Sequence, residues 1–251
     1  MNEALQLPAP TLPSAAASAA RDQALESASP VLRGEGLVRR FGLTEALRGI
    51  DVGIREGEIV AVMGPSGSGK STLLHCLAGI LRPDEGRVVF DGRRIDDLGE
   101  GERSRLRRSA FGFVFQFGQL VPELPAVENV ALPLLLNGVP RARAMAAAGD
   151  MFQKLGLDGL EGRRPGEMSG GQAQRVAVAR ALVVEPRVVF ADEPTGSLDS
   201  LAGEQVMELL TGAARAGRVT VLLITHEPRI AAYADRELIV RDGRISGGAA
   251  E

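Results

Sequence analysis

Short apolar runs alternate with helical patterns along the chain from Gly36 onward. Buried strands are predicted most clearly at residues 59–63, 188–191 and 219–225, and helices at 70–81, 170–184 and 201–215. Regular alternation of strands and helices is typical of a parallel sheet whose strands are joined by crossover helices. The pattern therefore predicts an α/β fold.

Three further segments depart from this alternation. Residues 36–41 and 46–54 are predicted to form antiparallel edge strands, and 236–245 a hairpin that turns at Asp242 and Gly243. Between 117 and 167, prolines at positions 122, 125, 133 and 140 separate short apolar segments and an alanine-rich stretch at 142–155. This part is predicted to be a helical insertion.

Residues 1–33 are rich in Ala, Pro and Ser and are predicted to be a disordered tail, with a targeting peptide as the alternative. The remaining residues, 34–251, are long enough to bury a substantial core. No apolar run approaches the roughly 20 residues that span a bilayer, so any link to a membrane is expected to pass through a partner.

The amino-acid composition limits which kinds of partner and which compartment are expected for the chain. The formal net charge is -3 and 24% of the residues are charged, so the basic excess of a nucleic-acid-binding protein is missing and no nucleic acid is expected. The single cysteine, Cys76, cannot form an intramolecular disulfide. Its leucine-rich surroundings predict a buried helical position, which fits a reducing cytoplasm.

A glycine-rich segment directly follows the predicted strand at 59–63 and opens the predicted helix at 70–81. It fits the pattern GxxxxGK[ST] with Gly64, Pro65, Ser66, Gly67, Ser68, Gly69, Lys70 and Ser71. Glycines let backbone N–H groups surround phosphate oxygens, Lys70 reaches the β- and γ-phosphates, and the Ser71 hydroxyl binds Mg²⁺. The alternative is a plain Gly/Ser turn, which leaves the coincidence of strand, loop, Lys-Ser and helix unexplained.

The predicted strand at 188–191 ends in an acidic pair, Asp192 and Glu193. P-loop enzymes place a magnesium-binding carboxylate at such a strand end, which is the role predicted for Asp192. Glu193 points elsewhere, because side chains alternate along a strand, and is the candidate for polarising the attacking water. A solvated turn or a helix cap is the alternative for an acidic pair alone.

A second anion site is predicted before the helix at 170–184. Ser169 can cap this helix while Gly170 and Gly171 expose backbone N–H groups at its positive end. The run Met168-Ser169-Gly170-Gly171-Gln172 resembles the LSGGQ signature of the ABC ATPase family, and the resemblance extends over residues 36–245. A plain capped helix would explain Ser169 but not the two glycines, which weaken a helix start.

The resemblance gives roles to four more residues, which follow in the family's order. Gln116 matches the Q-loop, where it would contact Mg²⁺ or water and couple the helical insertion to the nucleotide. His226 matches the switch histidine, which would hydrogen-bond the γ-phosphate. Asp199 lies in the match to the D-loop, and Phe41 takes the place of the adenine-stacking aromatic.

Each of these residues has a simpler interpretation when taken alone. His226 could be an exposed or capping histidine, Gln116 a surface amide, Asp199 a helix N-cap, and Phe41 a core residue. The order of the motifs favours the functional interpretation of His226 and Gln116.

The predicted site therefore has three overlapping sets of residues. The catalytic set is Glu193, His226, Gln116 and Lys70, and the metal set is Ser71, Gln116 and Asp192. The set that contacts ATP is Phe41, Gly64, Pro65, Ser66, Gly67, Ser68, Gly69, Lys70, Ser71, Thr72, Ser169, Gly170, Gly171, Gln172 and Asp199.

The family resemblance also implies an architecture and partners. It implies a P-loop NTPase (RecA-like) core with an antiparallel β subdomain and an α-helical insertion at about 117–167. In the family two subunits pack head to tail, so that the phosphate loop of one and the signature of the other enclose each MgATP. A homodimer, or a pair with a related ATPase subunit, is expected.

Segments 113–122, 127–134 and 191–199 resemble one branch of the family, that of lipoprotein-release, macrolide-export and cell-division ATPases. This implies an ATPase subunit that drives a separate integral membrane permease from the cytoplasmic face. One alternative is a soluble ABC ATPase acting on ribosomes or DNA, although these usually carry two modules or a coiled coil. Another is a P-loop switch without significant turnover, which would need neither Glu193 nor His226.

One local basic cluster contains Arg103, Arg105, Arg107 and Arg108. It is predicted to be a solvated helix face. Contact with a partner or with anionic headgroups is the alternative.

Overall fold

The computed structural model of the protein describes residues 30–246. The strands of this part are β1 (Pro30–Phe41), β2 (Thr44–Arg55), β3 (Ile59–Met63), β4 (Glu85–Phe90), β5 (Arg93–Arg94), β6 (Phe111–Phe115), β7 (Val188–Asp192), β8 (Thr220–Ile224), β9 (Arg236–Arg241) and β10 (Arg244–Ile245). The helices are α1 (Lys70–Leu77), α2 (Glu100–Ser109), α3 (Ala126–Leu136), α4 (Arg141–Lys154), α5 (Gly170–Leu182), α6 (Ser200–Gly217) and α7 (Pro228–Ala231), with a 3₁₀ turn at Pro165–Glu167.

A mostly parallel sheet has the strand order β10-β9-β3-β8-β7-β6. Strand β3 pairs in parallel with both β8 and β9, and β7 pairs in parallel with β6 and β8. The carboxyl ends of β3, β7 and β8 therefore meet at one edge of the sheet, which is where ligands bind in such folds. The predicted α/β class is confirmed, as is the closing hairpin of β9 and β10.

A separate antiparallel sheet has the order β2-β1-β4-β5. Strand β1 lies inside this sheet between β2 and β4, so the prediction that it is an edge strand was wrong. Residues 30–33, which the sequence assigned to the tail, belong to β1, and Leu32 is buried where it pairs with Ile54 and Phe90. The other residues of the predicted tail, 1–29, lie outside the described residues.

Helix α1 and a run of aromatic rings join the two sheets. Phe90 of the antiparallel sheet packs edge-on against Phe111 at 4.9 Å between ring centroids, and Phe111 does the same against Phe190 at 5.1 Å. Cys76 of α1 is buried in the same cluster, as predicted, and burial raises the pKa of its thiol to about 12. The start of α1 is thereby fixed relative to both sheets.

The segment predicted as a helical insertion contains α3 and α4, which pack on each other and on α5 around Val130, Phe152 and Val176. Helix α3 continues through Pro133, which the sequence had suggested as a break. Burial of Val130 and Ala131 in this cluster offsets the backbone hydrogen bond that a proline inside a helix removes.

The predicted bounds of three helices need correction. Helix α1 ends at Leu77 instead of residue 81, because Gly79 has φ 64° and the N–H groups of Ile80 and Leu81 both donate to the His75 carbonyl. Helix α5 ends at Leu182, and α6 extends over Ser200–Gly217.

The basic cluster on α2 is only partly solvated. Arg103 is 7% exposed, and both Arg103 and Arg107 pair with Glu100. The prediction of a solvated face is wrong for Arg103, because the acidic first turn of the same helix neutralises it. Within residues 30–246, no helix combines the length and the apolar character that crossing a bilayer requires.

Candidate nucleotide site

The loop between β3 and α1 is held in place by two close backbone approaches. Gly64 has φ 143°, and a Cβ at this position would lie 2.0 Å from the Val240 carbonyl oxygen. Gly69 has φ 106°, and a Cβ there would lie 2.4 Å from the Ala46 carbonyl oxygen. Both positions therefore require glycine, and the loop is clamped between β9 and β2.

This loop presents unpaired donors. Between Ser66 and Thr72, the backbone N–H of Ser68 donates a hydrogen bond. The other backbone N–H groups of this segment have no acceptor within the described residues. The Ser68 hydroxyl is buried and also lacks a partner there. Successive free amides at the start of a helix form an anion-binding concavity, so the loop fits a chain of phosphate groups.

Lys70 supplies the positive charge of this concavity. Its side chain is only 7% exposed, and its Nζ donates to the carbonyl oxygens of Gly64 at 2.9 Å and Pro65 at 2.8 Å. Among the described residues it forms no ion pair. A buried ammonium without an anion is costly, and an arriving phosphate would relieve that cost.

The carboxylate at the end of β7 lies beside the start of α1. The Ser71 hydroxyl donates to Asp192 Oδ1 at 3.3 Å. Burial raises the pKa of Asp192 above its ordinary value, the Ser71 hydrogen bond opposes this, and the neighbouring Glu193 charge adds to it. A hydroxyl beside one carboxylate is a typical partial shell for Mg²⁺, which takes its remaining ligands from water and phosphate oxygens.

Residues 30–246 contain no cluster of three or more His, Cys, Asp and Glu side chains that could hold a metal. The donor set around Ser71 and Asp192 therefore fits a magnesium ion that arrives with a nucleotide better than one held in an all-protein cage.

Glu193 follows Asp192 and has a left-handed backbone, with φ 47°. Its N–H donates to the Ile224 carbonyl oxygen at 3.0 Å, which ties this residue to the end of β8. Its Oε1 lies 3.3 Å from Nδ1 of His226, which follows the same strand. Strained backbone conformations of non-glycine residues are found mostly at functional sites. With this conformation the Glu193 carboxylate lies beside the histidine.

Gln116 approaches Glu193 from the end of β6. A Cβ at Gly196 would lie 2.9 Å from Nε2 of Gln116 and 3.3 Å from Oε2 of Glu193, so both side chains lie against this glycine. The Ser197 hydroxyl donates to the Gln116 carbonyl oxygen at 2.7 Å. The carboxyl ends of β6, β7 and β8 thus bring Gln116, Glu193 and His226 together.

Glu193 and His226 line a cavity of about 530 Å³, whereas the predicted residues Ser68, Gln116 and Asp192 do not. The full lining is Ala46, Gly64, Pro65, Ser66, Gly67, Gly69, Lys70, Ser71, Thr72, Glu193 and His226. All but one of the lining residues were predicted from the sequence. Ala46 was missed, since nothing in the local sequence indicates that β2 passes beside the loop.

The signature residues lie outside this cavity. The Ser169 hydroxyl accepts the Gln172 N–H at 3.2 Å, and Gln172 Oε1 accepts the Ser169 N–H at 2.9 Å. This reciprocal cap leaves the N–H groups of Gly170 and Gly171 without acceptors in the described chain. The structure does not bring Ser169, Gly170, Gly171 or Gln172 to Lys70.

Asp199 and Phe41 also lie outside the cavity. Asp199 Oδ1 accepts the Ala202 N–H at 2.9 Å, so in this structure the carboxylate caps α6, as its simpler interpretation expects. Phe41 is 47% exposed at the end of β1, with the Arg39 guanidinium 4.8 Å from its ring centroid. Phe41 is therefore not a core residue.

A glycine loop between strand and helix, an unpaired lysine and a Ser–Asp pair at the neighbouring strand end define a P-loop nucleoside triphosphatase. The sequence profile described as ABC transporter matches residues 47–196. The Lipoprotein-releasing system ATP-binding protein LolD of Syntrophotalea carbinolica is 46% identical over 203 residues, which make up 81% of this chain and 89% of that protein. The chain belongs to the ABC transporter family.

Other similar proteins include longer chains. The Macrolide export ATP-binding/permease protein MacB 1/2 of Paracoccus denitrificans is 46% identical over 224 residues, which cover 88% of this chain and 33% of that protein. The chain thus spans about a third of the length of the MacB relatives it matches.

A solved dimeric structure of the ATP-binding cassette MJ0796 bound to ADP and Pi superposes with a TM-score of 0.77. It is 36% identical, and the match covers 86% of this chain and 97% of that chain. The predicted family, fold class and ATPase class are confirmed.

Proposed function

We propose that this chain is the ATP-hydrolysing subunit of a transporter whose membrane permease is a separate partner. The observation that carries the proposal is that Lys70, Ser71 and the Glu193–His226 pair line one cavity, while Asp192 accepts a hydrogen bond from Ser71. A phosphate-binding turn alone would not need the Glu193–His226 pair.

Each group has a distinct task during hydrolysis. Lys70 and the free amides of the loop bind the β- and γ-phosphates of ATP. Ser71 and Asp192 would hold Mg²⁺, which when bound would supply positive charge for the phosphate oxygens. Glu193 polarises the attacking water and accepts its proton, while His226 fixes the carboxylate and hydrogen-bonds the γ-phosphate. Gln116 orients the water from the end of β6.

In this proposal a second copy of the chain supplies the signature contact to ATP, which the cavity of a single chain does not contain. The free N–H groups of Gly170 and Gly171 form an anion site that does not face the chain's own phosphate loop. A head-to-tail dimer would bring the signature of one subunit to the ATP on the other, so that two MgATP molecules lie at the interface. The dimeric structure of the similar cassette MJ0796 supports the dimer part of this proposal.

A groove on the surface of this chain is the proposed docking site for the permease. A cavity of about 390 Å³ between α2, α3, α5 and β6 has a mixed lining. Its apolar part includes Ile80, Phe111, Phe113, Leu132 and Leu136, and its basic part is Arg107, Arg108 and Arg180. Leu136 is 59% exposed, and the groove reaches Phe115, the residue before Gln116. A cytoplasmic segment of the permease bound here would contact the strand that carries Gln116, and the subunit would lie on the inner face of the membrane.

Site-specific cross-linking tests this partnership. A photoreactive phenylalanine at position 136 should cross-link to an integral membrane protein in cells, whereas the same group at the exposed Gln205 on α6 should not. Cross-links from position 136 only to ribosomal proteins or to DNA would favour a soluble ABC ATPase instead. The net charge of -3 and the single set of motifs do not favour that alternative.

A further inference from the structure

Helix α5 reaches the turn that carries Gln116 through a buried amide. Gln174 is 2% exposed, and its Nε2 donates at 2.8 Å to the carbonyl oxygen of Phe115, the residue before Gln116. A Cβ on Gly118 would lie 3.2 Å from Oε1 of the same side chain. The amide therefore lies directly beneath the turn.

A second side chain of α5 binds the other end of the turn. Arg180 donates from Nη1 to the Gln119 carbonyl oxygen and from Nη2 to the Gly118 carbonyl oxygen, both at 2.7 Å. Burial lowers the pKa of Arg180, and among the described residues no carboxylate pairs with it. A guanidinium is costly to bury without an anion, and here its donors are spent on two loop carbonyls.

The turn has two backbone hydrogen bonds of its own, from the Gly118 N–H to the Phe115 carbonyl oxygen at 3.0 Å and from the Gln119 N–H to the Phe117 carbonyl oxygen at 2.7 Å. Gly118 has φ 68° and Gln119 has φ 48°, so two consecutive residues are left-handed. The side chain of Phe117 is exposed and packs no core. Outside α5, the side-chain hydrogen bond to this turn comes from the Ser197 hydroxyl to the Gln116 carbonyl oxygen.

We propose that Gln174 and Arg180 are positioning residues that hold the Gln116 side chain at the nucleotide site by fixing the backbone of 115–119 to α5. The inference rests on the role proposed above for Gln116. Because α5 begins at the signature, the same helix then links the anion site at Ser169 to Gln116. Nucleotide contact at one end of α5 would be transmitted to the other end as a shift of this turn.

Steady-state Mg²⁺-ATPase kinetics of the full chain, without permease, test the inference. Gln174→Met and Arg180→Met should each lower kcat about 10- to 100-fold, the scale for a misplacement of about 1 Å. The affinity for ATP should stay at the wild-type level, because Lys70 and the phosphate loop are untouched. Arg180→Lys should recover part of kcat, since its ammonium can still reach one of the two carbonyls.

Arg236→Met is the matched control. Arg236 is also a half-buried arginine that donates to a glycine carbonyl, but its acceptor is Gly53 in β2. It should lower the melting temperature about as much as Arg180→Met and leave kcat unchanged. An equal loss of kcat in both variants would mean that Arg180 acts only through general stability, and would overturn the inference.

A double variant that combines Arg180→Met with Gln116→Ala distinguishes a failure of this inference from a failure of the proposed function. If Arg180 acts through Gln116, Arg180→Met should lower kcat no further in the Gln116→Ala background. A full additional loss in that background would overturn the inference alone, as would wild-type kcat in both α5 variants. Wild-type kcat in Gln116→Ala itself would overturn the role proposed for Gln116, and the inference with it.

Discussion

The phosphate-loop region and the signature region both present free backbone N–H groups at the start of a helix but differ in what surrounds them. Around the phosphate loop, Lys70, Ser71, Glu193 and His226 line one cavity, and Asp192 accepts a hydrogen bond from Ser71. At the signature, the side chains of Ser169 and Gln172 each accept the other's backbone N–H, and within residues 30–246 no catalytic candidate bonds to either. The first region therefore carries most of the proposed site, and the second carries its proposed closing contact.

The glycines of the two regions also lie against different parts of the fold. A Cβ on Gly171 would lie 3.0 Å from Cβ of Ala202, and one on Gly170 would lie 3.3 Å from Leu198. The signature helix therefore starts tightly against α6, so that its free amides keep a fixed direction. The difference is what the proposed dimer explains, since in that proposal one chain gives the chemistry and the other gives the closing contact.

Lys70→Ala should have the largest effect on the first region. The β- and γ-phosphates lose their cation in a partly desolvated site, so nucleotide-dependent activity should be abolished. Phosphate release and binding of a fluorescent ATP analogue measure this outcome. Near-normal binding and turnover would contradict the assignment of the loop.

Glu193→Gln should keep ATP binding and lower turnover by about 10²–10⁴-fold, the scale of a lost general base. Because hydrolysis no longer opens the interface, the variant should also accumulate as an ATP-bound dimer in size-exclusion chromatography. Wild-type hydrolysis in this variant, with the permease present, would rule out Glu193 as the base.

Phe41→Ala should weaken ATP binding by about 1–3 kcal/mol if the exposed ring stacks on adenine. Leu43→Ala is the matched control, since Leu43 is an exposed apolar residue at the turn of the same hairpin. Calorimetric titration with ATP measures both variants. Equal affinities for wild type and Phe41→Ala would exclude the stacking role.

The smallest effect is expected for the buried thiol of Cys76. Burial raises its pKa from an ordinary value of 9.0 to about 12 in the folded chain, so folding favours the protonated thiol. The unfolded chain releases this proton first, and the stability that Cys76 contributes should therefore be complete below pH 9 and decline from there toward pH 12. Cys76→Ala should remove this component from denaturant titrations across that range. An unchanged pH profile would contradict the burial of the thiol in the core cluster beneath α1.

Local pattern was sufficient for much of the nucleotide site. Residues 59–63 were predicted as a strand with the bounds that β3 has, and the loop and acidic pair follow from short contiguous motifs. Such signals are local because the chain itself connects strand, loop and helix. They also place Glu193 and His226 at one sheet edge, since parallel strands end together.

Contacts between distant segments were not predictable in this way. Residues 30–33 form a strand because they pair with β2 and β4, and nothing within the segment distinguishes it from the tail. Gln174 and Arg180 lie in a plain helical pattern, and only the fold shows that they reach the turn at 115–119. Periodicity indicates which face of a helix is buried but not which partner covers it.

The division of the site between two chains is tested most directly by mixing two inactive variants. Lys70→Ala keeps an intact signature and Ser169→Arg keeps an intact phosphate loop, so their heterodimer contains one complete site. The measurement is the number of ATP molecules retained per purified heterodimer in the presence of Mg²⁺. One tightly held ATP per heterodimer is the predicted result, and a heterodimer that retains none would contradict the shared site.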